Sequence, residues 1–182
     1  MTRLRRTLGI LLILITCVGC DQATKSVAKT YLPRGETLTF AADTFRLQYA
    51  ENHGAFLSLG RSLPEQWRSL IFTIGVAVIM LGLLGYLLLA TNLHPTQILA
   101  LALVCGGGLS NLLDRIVYGG YVVDFMNVGI GGLRTGIFNV ADMAITGGVI
   151  MLFFSSTQEP EPTPAEQAAE SVKYDHTNSA DL

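Results

Sequence analysis

Hydrophobic residues in this chain fall into long blocks that are separated by more polar segments. The clearest block covers residues 67–90 and is long enough to cross a hydrocarbon core of about 30 Å as a helix. Two further blocks, residues 95–113 and 137–154, are near the minimum length for crossing and carry polar groups at one end. The pattern predicts a transmembrane helix over each of the three.

A fourth apolar block, near the N-terminus, needs polar residues to complete a crossing. As a helix, residues 7–20 cover only roughly 21 Å. The following residues contain no Gly or Pro up to Lys29, so the helix can continue through Asp21 and Lys25. We therefore predict a first span over residues 7–30, in which Asp21 and Lys25 are spaced to form an ion pair near the interface.

The basic residues before the first span fix the predicted orientation. Arg3, Arg5 and Arg6 favour a cytoplasmic N-terminus, and four spans return the C-terminus to the same side. The segments 32–66 and 114–136 then face outside. The unusual polar residues of the spans all collect at this outer face: Asp21, Asn111, Asp114 and Asp142.

The outer loops and the C-terminal end show different patterns. Residues 37–40 and 45–49 alternate apolar and polar side chains, which predicts a small β-sheet on the membrane surface. The chain stays polar after Ser155, so we expect a membrane domain over residues 1–155 and a disordered cytoplasmic tail over residues 156–182.

Composition agrees with a membrane protein and excludes some functions. Hydrophobic residues make up 50% of the 182 residues and charged residues 14%, and the mean hydropathy is +0.45. The net charge of −2 comes with basic residues that are scattered, so we expect no nucleic-acid partner. The three cysteines lie in apolar surroundings, and the three histidines fall on opposite predicted sides of the membrane, so we expect neither disulfides nor a metal site.

Two aspartates carry the most chemical information. Asp124 lies in an apolar, strand-like segment, and Asp142 lies about one turn inside the last predicted span. Taken singly, each could be a helix-end acid or an ion-pair member. Two carboxyl groups that face each other at low dielectric share a proton, so one can activate water while the other polarises a carbonyl. The pair is a candidate for peptide hydrolysis without a metal.

Small and polar residues near the end of the third predicted span form another motif. Glycines 106–108 allow a neighbouring helix to approach closely. Asn111, Asp114 and Arg115 share one helical face, as either a structural ion pair or part of a site. Asn52 begins a turn-like segment after the second predicted strand.

Together these motifs resemble those of the lipoprotein signal peptidases, or signal peptidase II, from about Thr7 to Phe154. Ser110 replaces a glycine that is usual in that family, and a single alanine precedes Phe56 where many members have two. Five blocks match in order: Asp21-Gln22 with Lys25; Asn52, Gly54 and Ala55 with Phe56; Gly106-Gly107 with Asn111, Asp114 and Arg115; Val123-Asp124-Phe125; and Phe138-Asn139 with Ala141-Asp142.

The resemblance implies a membrane all-α fold with four transmembrane helices, an extracytoplasmic β-sheet called a β-cradle, and a surface helix. It implies a hydrolase of the bacterial inner membrane, an aspartic endopeptidase sensitive to globomycin, with Asp124 and Asp142 as its catalytic pair. Diacylglyceryl prolipoproteins and membrane lipids are the implied partners, and we expect a monomer without cofactor. The implied substrate-binding and supporting residues are Asn52, Gly54, Asn111, Asp114, Arg115, Asn139, Asp21 and Lys25.

Two other functions compete with this interpretation. Acids inside a membrane also relay protons or bind cations in transporters and ion-conducting proteins. The basic N-terminus, the apolar run and Gly19-Cys20 also resemble the signal peptide of a lipoprotein, in which Cys20 itself is modified.

Overall fold

A computed structural model describes residues 2–53, 64, 67 and 70–155 of the chain. Four apolar helices and one small antiparallel sheet make up this part. The helices are α1 (Arg3–Tyr31), α2 (Val76–Leu89), which continues from a π-helical turn (Ile71–Gly75), α3 (Pro95–Val117) and α4 (Val140–Ser155). The strands are β1 (Leu38–Phe40), β2 (Phe45–Asn52), β3 (Val122–Ile130) and β4 (Leu133–Arg134).

The helices have the composition of membrane spans. Helices α1 and α3, and α2 together with its π-helical turn, are long and apolar enough to cross a bilayer, and α4 is a shorter apolar helix. Helix α1 passes through Asp21 and Lys25 without a break. Helix α3 continues beyond residue 113 to Val117, so Asp114 and Arg115 lie on the helix itself.

One face of α1 is buried, and that face changes character along the helix. The buried residues recur at helical spacing. Towards the N-terminus they are apolar and pack against α2 and α3, where Ile10 and Leu87 are almost fully buried. Arg6 donates hydrogen bonds to the carbonyls of Leu87 and Ala90, which satisfies the open C-terminal end of α2. Further along, the buried residues on the same face are Asp21, Lys25 and the small Ala28.

Helix α3 lies at the centre and packs against each of the other three helices. Its three consecutive glycines point to three different neighbours, so a side chain at any of them would collide with a packed helix. The prediction that these glycines permit close helix approach is confirmed. Gly106 faces Cys17 of α1, Gly107 faces Ala141 of α4, and Gly108 faces Met80 of α2.

The sheet has strand order β1-β2-β3-β4, with antiparallel pairing throughout. Because cross-strand partners share a face, the face that carries Asp124 also carries a continuous row of apolar side chains. The separate surface helix implied by the resemblance does not occur among the described residues, which omit most of the loop between β2 and α2. The apolar row consists of Leu38, Phe40, Phe45, Leu47, Met126, Val128, Ile130 and Leu133.

Candidate active site

Strand β3 holds Asp124 in the interior of the protein. The first residues of this strand are buried on both faces, and Asp124 is 2% exposed. Its strand neighbour is Ala50, which follows a register shift in β2 after Leu47. The shift aligns the end of β2 so that Asn52 Nδ2 donates to Asp124 Oδ2 at 2.9 Å. Asn52, which the resemblance implies as a substrate-binding or supporting residue, therefore contacts Asp124 directly.

The start of helix α4 fixes Asp142. The backbone N–H of Asp142 donates to Asn139 Oδ1 at 2.9 Å, and the backbone N–H of Asn139 donates to Asp142 Oδ2 at 3.1 Å. This reciprocal pair is a capping box, with the two residues three positions apart. The same contacts that begin the helix thus orient one of the two candidate carboxylates.

Asn139 also joins the two carboxylates to each other. Its Nδ2 donates to Asp124 Oδ1 at 2.6 Å, while its backbone N–H and its side-chain oxygen bind Asp142 as described. From helix α3, Asn111 Nδ2 donates to the other carboxylate oxygen, Asp142 Oδ1, at 2.9 Å. The predicted supporting asparagines therefore both contact the candidate pair.

The environment of Asp124 favours its protonated form. Burial raises the pKa of Asp124 from its ordinary 3.8 to about 7, and the nearby charge of Asp142 raises it as well. Hydrogen bonds from Asn52 and Asn139 act in the opposite direction because they stabilise the carboxylate. A carboxyl group with this pKa can both hold and release a proton near neutral pH.

Arg115 brings positive charge to the same site. It lies close enough to Asp124 and Asp142 to interact electrostatically with both. Its guanidinium donates to the carbonyl of Asn111 at 3.2 Å, and its buried Nε has no hydrogen-bond partner among the described residues. Arg115 thus retains donor capacity beside the two carboxylates.

A buried ion triad lies beneath the candidate pair. The sequence predicts an ion pair between Asp21 and Lys25, and the structure shows Lys25 Nζ at 2.7 Å from Asp21 Oδ2. It also shows a second partner, Asp114 Oδ2, at 2.9 Å. All three side chains are at most 1% exposed. The predicted Asp21–Lys25 ion pair is therefore part of a triad that is buried within the helical bundle.

Two further side chains, which were not predicted as site residues, bind the acids of this triad. Ser110 Oγ donates to Asp21 Oδ2 at 2.7 Å, and Gln22 Nε2 donates to Asp114 Oδ1 at 2.6 Å. Gln22 is adjacent to Asp21 in one matched block, and Ser110 is the departure from the usual glycine. The available signals were the position of Gln22 next to Asp21 and that of Ser110 next to Asn111.

Seven of the eight predicted supporting residues have their positions described, and all seven lie at or beneath the pair of aspartates. Gly54 lies outside the described residues. Within the described part of the chain, no group of three or more His, Cys, Asp or Glu side chains could hold a metal ion. The residues brought together are Asp21, Lys25, Asn52, Asn111, Asp114, Arg115 and Asn139.

Known proteins match this chain over most of its length. The sequence model described as signal peptidase (SPase) II matches residues 13–158. A lipoprotein signal peptidase from Francisella tularensis subsp. mediasiatica is 34% identical over 157 residues, which cover 86% of this chain and 96% of the relative. A lipoprotein signal peptidase from Pelodictyon phaeoclathratiforme is 38% identical over 162 residues, with 84% and 92% covered.

Two solved structures, each described as a bacterial membrane enzyme, share the fold. One, at 1.9 Å resolution, has a TM-score of 0.73 and covers 84% of this chain and 94% of its own. The other, at 2.3 Å resolution, has a TM-score of 0.71 and covers 84% and 93%. Both are 26% identical in sequence. The matched length, the identity to the relatives and the shared fold show that this chain belongs to the signal peptidase II family.

Proposed function

We propose that this protein is an aspartic endopeptidase that removes the signal peptide from diacylglyceryl-modified prolipoproteins, with Asp124 and Asp142 as its catalytic pair. The observation that carries the proposal is that Asn139 binds both carboxyl groups, which brings the buried Asp124 and the half-buried Asp142 from different elements to one place. The relatives named lipoprotein signal peptidase support the substrate class.

In the proposed reaction one carboxylate of the pair takes a proton from a water molecule, whose oxygen attacks the carbonyl carbon before the lipidated cysteine. The other member, protonated, donates to the carbonyl oxygen. Collapse of the tetrahedral intermediate breaks the C–N bond. The cysteine nitrogen takes the proton that the first carboxyl group received from water, and a hydroxyl of the intermediate returns a proton to the second carboxylate. The products are a signal peptide with a new carboxylate and a mature lipoprotein with a free α-amine. Asn52 and Arg115 have donor groups beside Asp124 that can bind the peptide backbone or lipid oxygens.

We place the site at the outer face of the bacterial inner membrane, with both termini cytoplasmic and the enzyme acting as a monomer. The basic residues that precede the first span support this orientation. A peptide anchored by acyl chains then reaches the pair laterally from the bilayer while water enters from outside. The entire process needs no cofactor.

The competing functions fit the geometry less well. A proton or ion pathway needs polar groups along the membrane, yet helix α2 (Val76–Leu89) contains no charged residue, and the buried acids collect near Asn139. Cleavage before Cys20 would remove most of α1. That helix holds Asp21, which directly follows Cys20 and is hydrogen-bonded within the site, so the geometry favours an uncleaved helix.

Substitution of each aspartate tests the catalytic pair. In purified enzyme we expect Asp124→Asn and Asp142→Asn each to lower cleavage of a diacylglyceryl prolipoprotein at least about 100-fold, because each removes a proton-transfer group. Asp43→Asn is the matched control, since Asp43 is a partly exposed acid in the turn between β1 and β2 whose pKa is held low by a hydrogen bond from Arg46. Wild-type activity in either member of the pair, in a folded variant, would contradict the assignment.

A second arm of the assay tests the substrate class. The same precursor without its diacylglyceryl group should be cleaved more slowly, because acyl chains add apolar burial and hold the peptide in the membrane. Equal rates on the two precursors would show that the lipid is not recognised, whatever the behaviour of the aspartate variants.

A further inference from the structure

The buried triad of Asp21, Lys25 and Asp114 contacts the backbone beside each catalytic aspartate. Asp21 Oδ1 accepts a hydrogen bond from the N–H of Ala141 at 2.8 Å. Asp114 Oδ2 accepts one from the N–H of Val123 at 3.0 Å. These two residues immediately precede Asp142 and Asp124 in the chain. Each acid of the triad therefore holds the backbone N–H of the residue directly before one catalytic aspartate.

Lys25 connects these two acids to each other. An ammonium group has three donors, and here they match three acceptors: Asp21 Oδ2, Asp114 Oδ2 and Asn111 Oδ1, at 2.7, 2.9 and 2.9 Å. A buried ammonium group would lose a hydrogen bond by moving, so one whose three donors are all used is held in one position. Lys25 is therefore the direct, charged link between the two acids, and it helps to set the distance between the backbone segments that they hold.

The third bond of Lys25 acts on the catalytic pair through Asn111. Asn111 Oδ1 accepts from both Lys25 Nζ and Asn139 Nδ2, which leaves its Nδ2 to face Asp142. Rotation of this amide would place its NH₂ group against two donors and its oxygen against a carboxylate. Lys25 thereby fixes which atom of Asn111 meets Asp142.

From these contacts we propose that Lys25 is a positioning residue that sets the spacing of the Asp124–Asp142 pair and orients the Asn111 amide towards it. The role rests on the catalytic pair proposed above. It goes beyond bracing of the first helix, because Lys25 acts on α3, β3 and the start of α4 at once.

The charge of Lys25 gives this role a distinct signature. The charged groups around Asp124 are Asp142 from α4, Arg115 from α3 and Lys25 from α1. Burial and Asp142 raise the pKa of Asp124, whereas Lys25 lowers it. Removal of the Lys25 charge should therefore move the alkaline limb of the pH profile to higher pH, an effect that loss of packing alone does not produce.

Lys25→Met tests the proposal, with Lys29→Met as the matched control. Lys29 lies one turn further along the same helix, is exposed, and contacts the ring of Tyr118. For Lys25→Met we expect kcat to fall about 10- to 100-fold with KM within about twofold, because misplacement by an ångström has costs of this size. The alkaline limb should also move upwards. Lys29→Met should match the wild type in both measurements.

Lys25→Met leaves two buried acids without a cation, which destabilises the fold. Two further variants therefore test the proposal independently of whether Lys25→Met folds. The triple variant Asp21→Asn, Lys25→Met, Asp114→Asn removes the whole triad charge and should show the same low kcat. Ser110→Ala removes the bond to Asp21 and the oxygen that accepts from Gln22 Nε2 at 3.1 Å, but no charge, and should lower kcat about threefold with an unchanged pH profile. Wild-type kcat in whichever of these variants fold, while Asp124→Asn is inactive, would overturn the role of Lys25 without affecting the catalytic pair.

Discussion

Opposing influences act on the proton of Asp124. Burial and Asp142 favour the neutral acid, while Asn52 and Asn139 donate hydrogen bonds to the carboxylate, and the balance raises the pKa to about 7. The sequence places Asp124 in an apolar segment, which is enough to predict an acid with a perturbed pKa. It does not reveal Asn52 as a partner, since the contact depends on the register between β2 and β3.

The pH dependence of cleavage follows from this balance. If the reaction needs one proton on the pair, kcat/KM should decline above about pH 7 as Asp124 loses its proton. Asn52→Ala removes a donor that stabilises the carboxylate, so the midpoint of this decline should move to higher pH. Rates measured between pH 5 and 9 on both proteins check the direction. A midpoint that moves downwards in Asn52→Ala would be inconsistent with the contact.

Stability should respond to the same proton. The folded state binds it more tightly than the unfolded state, so the contribution of Asp124 to stability is present below about pH 4 and is lost as pH rises through about 7. Asp124→Asn has no such loss. We therefore expect the difference in melting temperature in detergent, variant minus wild type, to be more positive at pH 8 than at pH 5. A constant difference across this range would argue against a raised pKa.

At the level of elements, the sequence predicts the helices and the first two strands better than it predicts β3. Residues 37–40 and 45–49 alternate because one face of β1 and β2 is apolar, and β1 and β2 form there. The first four residues of β3 are buried on both faces, so the period of two is absent. In α1, the spacing reveals the Asp21–Lys25 pair, but Asp114 is far away in sequence and can be assigned to it only from the packing of α3.

The two faces of the sheet differ in a way that predicts how it meets the membrane. On β1, Phe40 lies on the apolar face that carries Asp124, and Thr39 lies on the opposite face. Because transfer of apolar side chains out of water lowers the free energy, we expect the Phe40 face to enter the outer leaflet. A polarity-sensitive fluorophore on Phe40→Cys should be quenched by spin-labelled lipid more strongly than one on Thr39→Cys.

The labelling needs a background in which the native cysteines are alanine, because Cys20 is exposed. Retained cleavage activity of each labelled protein confirms that the sheet is intact. Equal quenching at the two adjacent positions would mean that the sheet stands away from the bilayer, and stronger quenching at Thr39→Cys would mean that its polar face is the buried one.

On the scale of the whole molecule, most of the buried acids and amides in the described part of the chain lie in one layer of an otherwise apolar bundle. Large apolar side chains such as Leu12, Ile79 and Phe153 are exposed on the outer surfaces of the helices, as expected for contact with lipid. The buried acids and amides interlock from α1, α3, β3 and α4. The site therefore depends on the relative placement of all these elements, which is why short motifs in the sequence could identify it but could not give its geometry.

This organisation predicts which part of the chain is sufficient for activity. The family match ends at residue 158, and every contact of the site lies between Asp21 and Asp142. We therefore expect a chain that ends at Ser155 to cleave substrate within about twofold of the full-length rate, since the family match extends only three residues beyond Ser155, from 156 to 158. A chain that ends at Ile150 is the control. Helix α4, with 16 residues, is about 24 Å long and already short for a bilayer core. Loss of its last five residues leaves about 16 Å, so this variant should give little folded protein in detergent. If the chain ending at Ser155 were folded but inactive, residues 156–182 would be part of the enzyme, and the membrane domain would not be sufficient for catalysis.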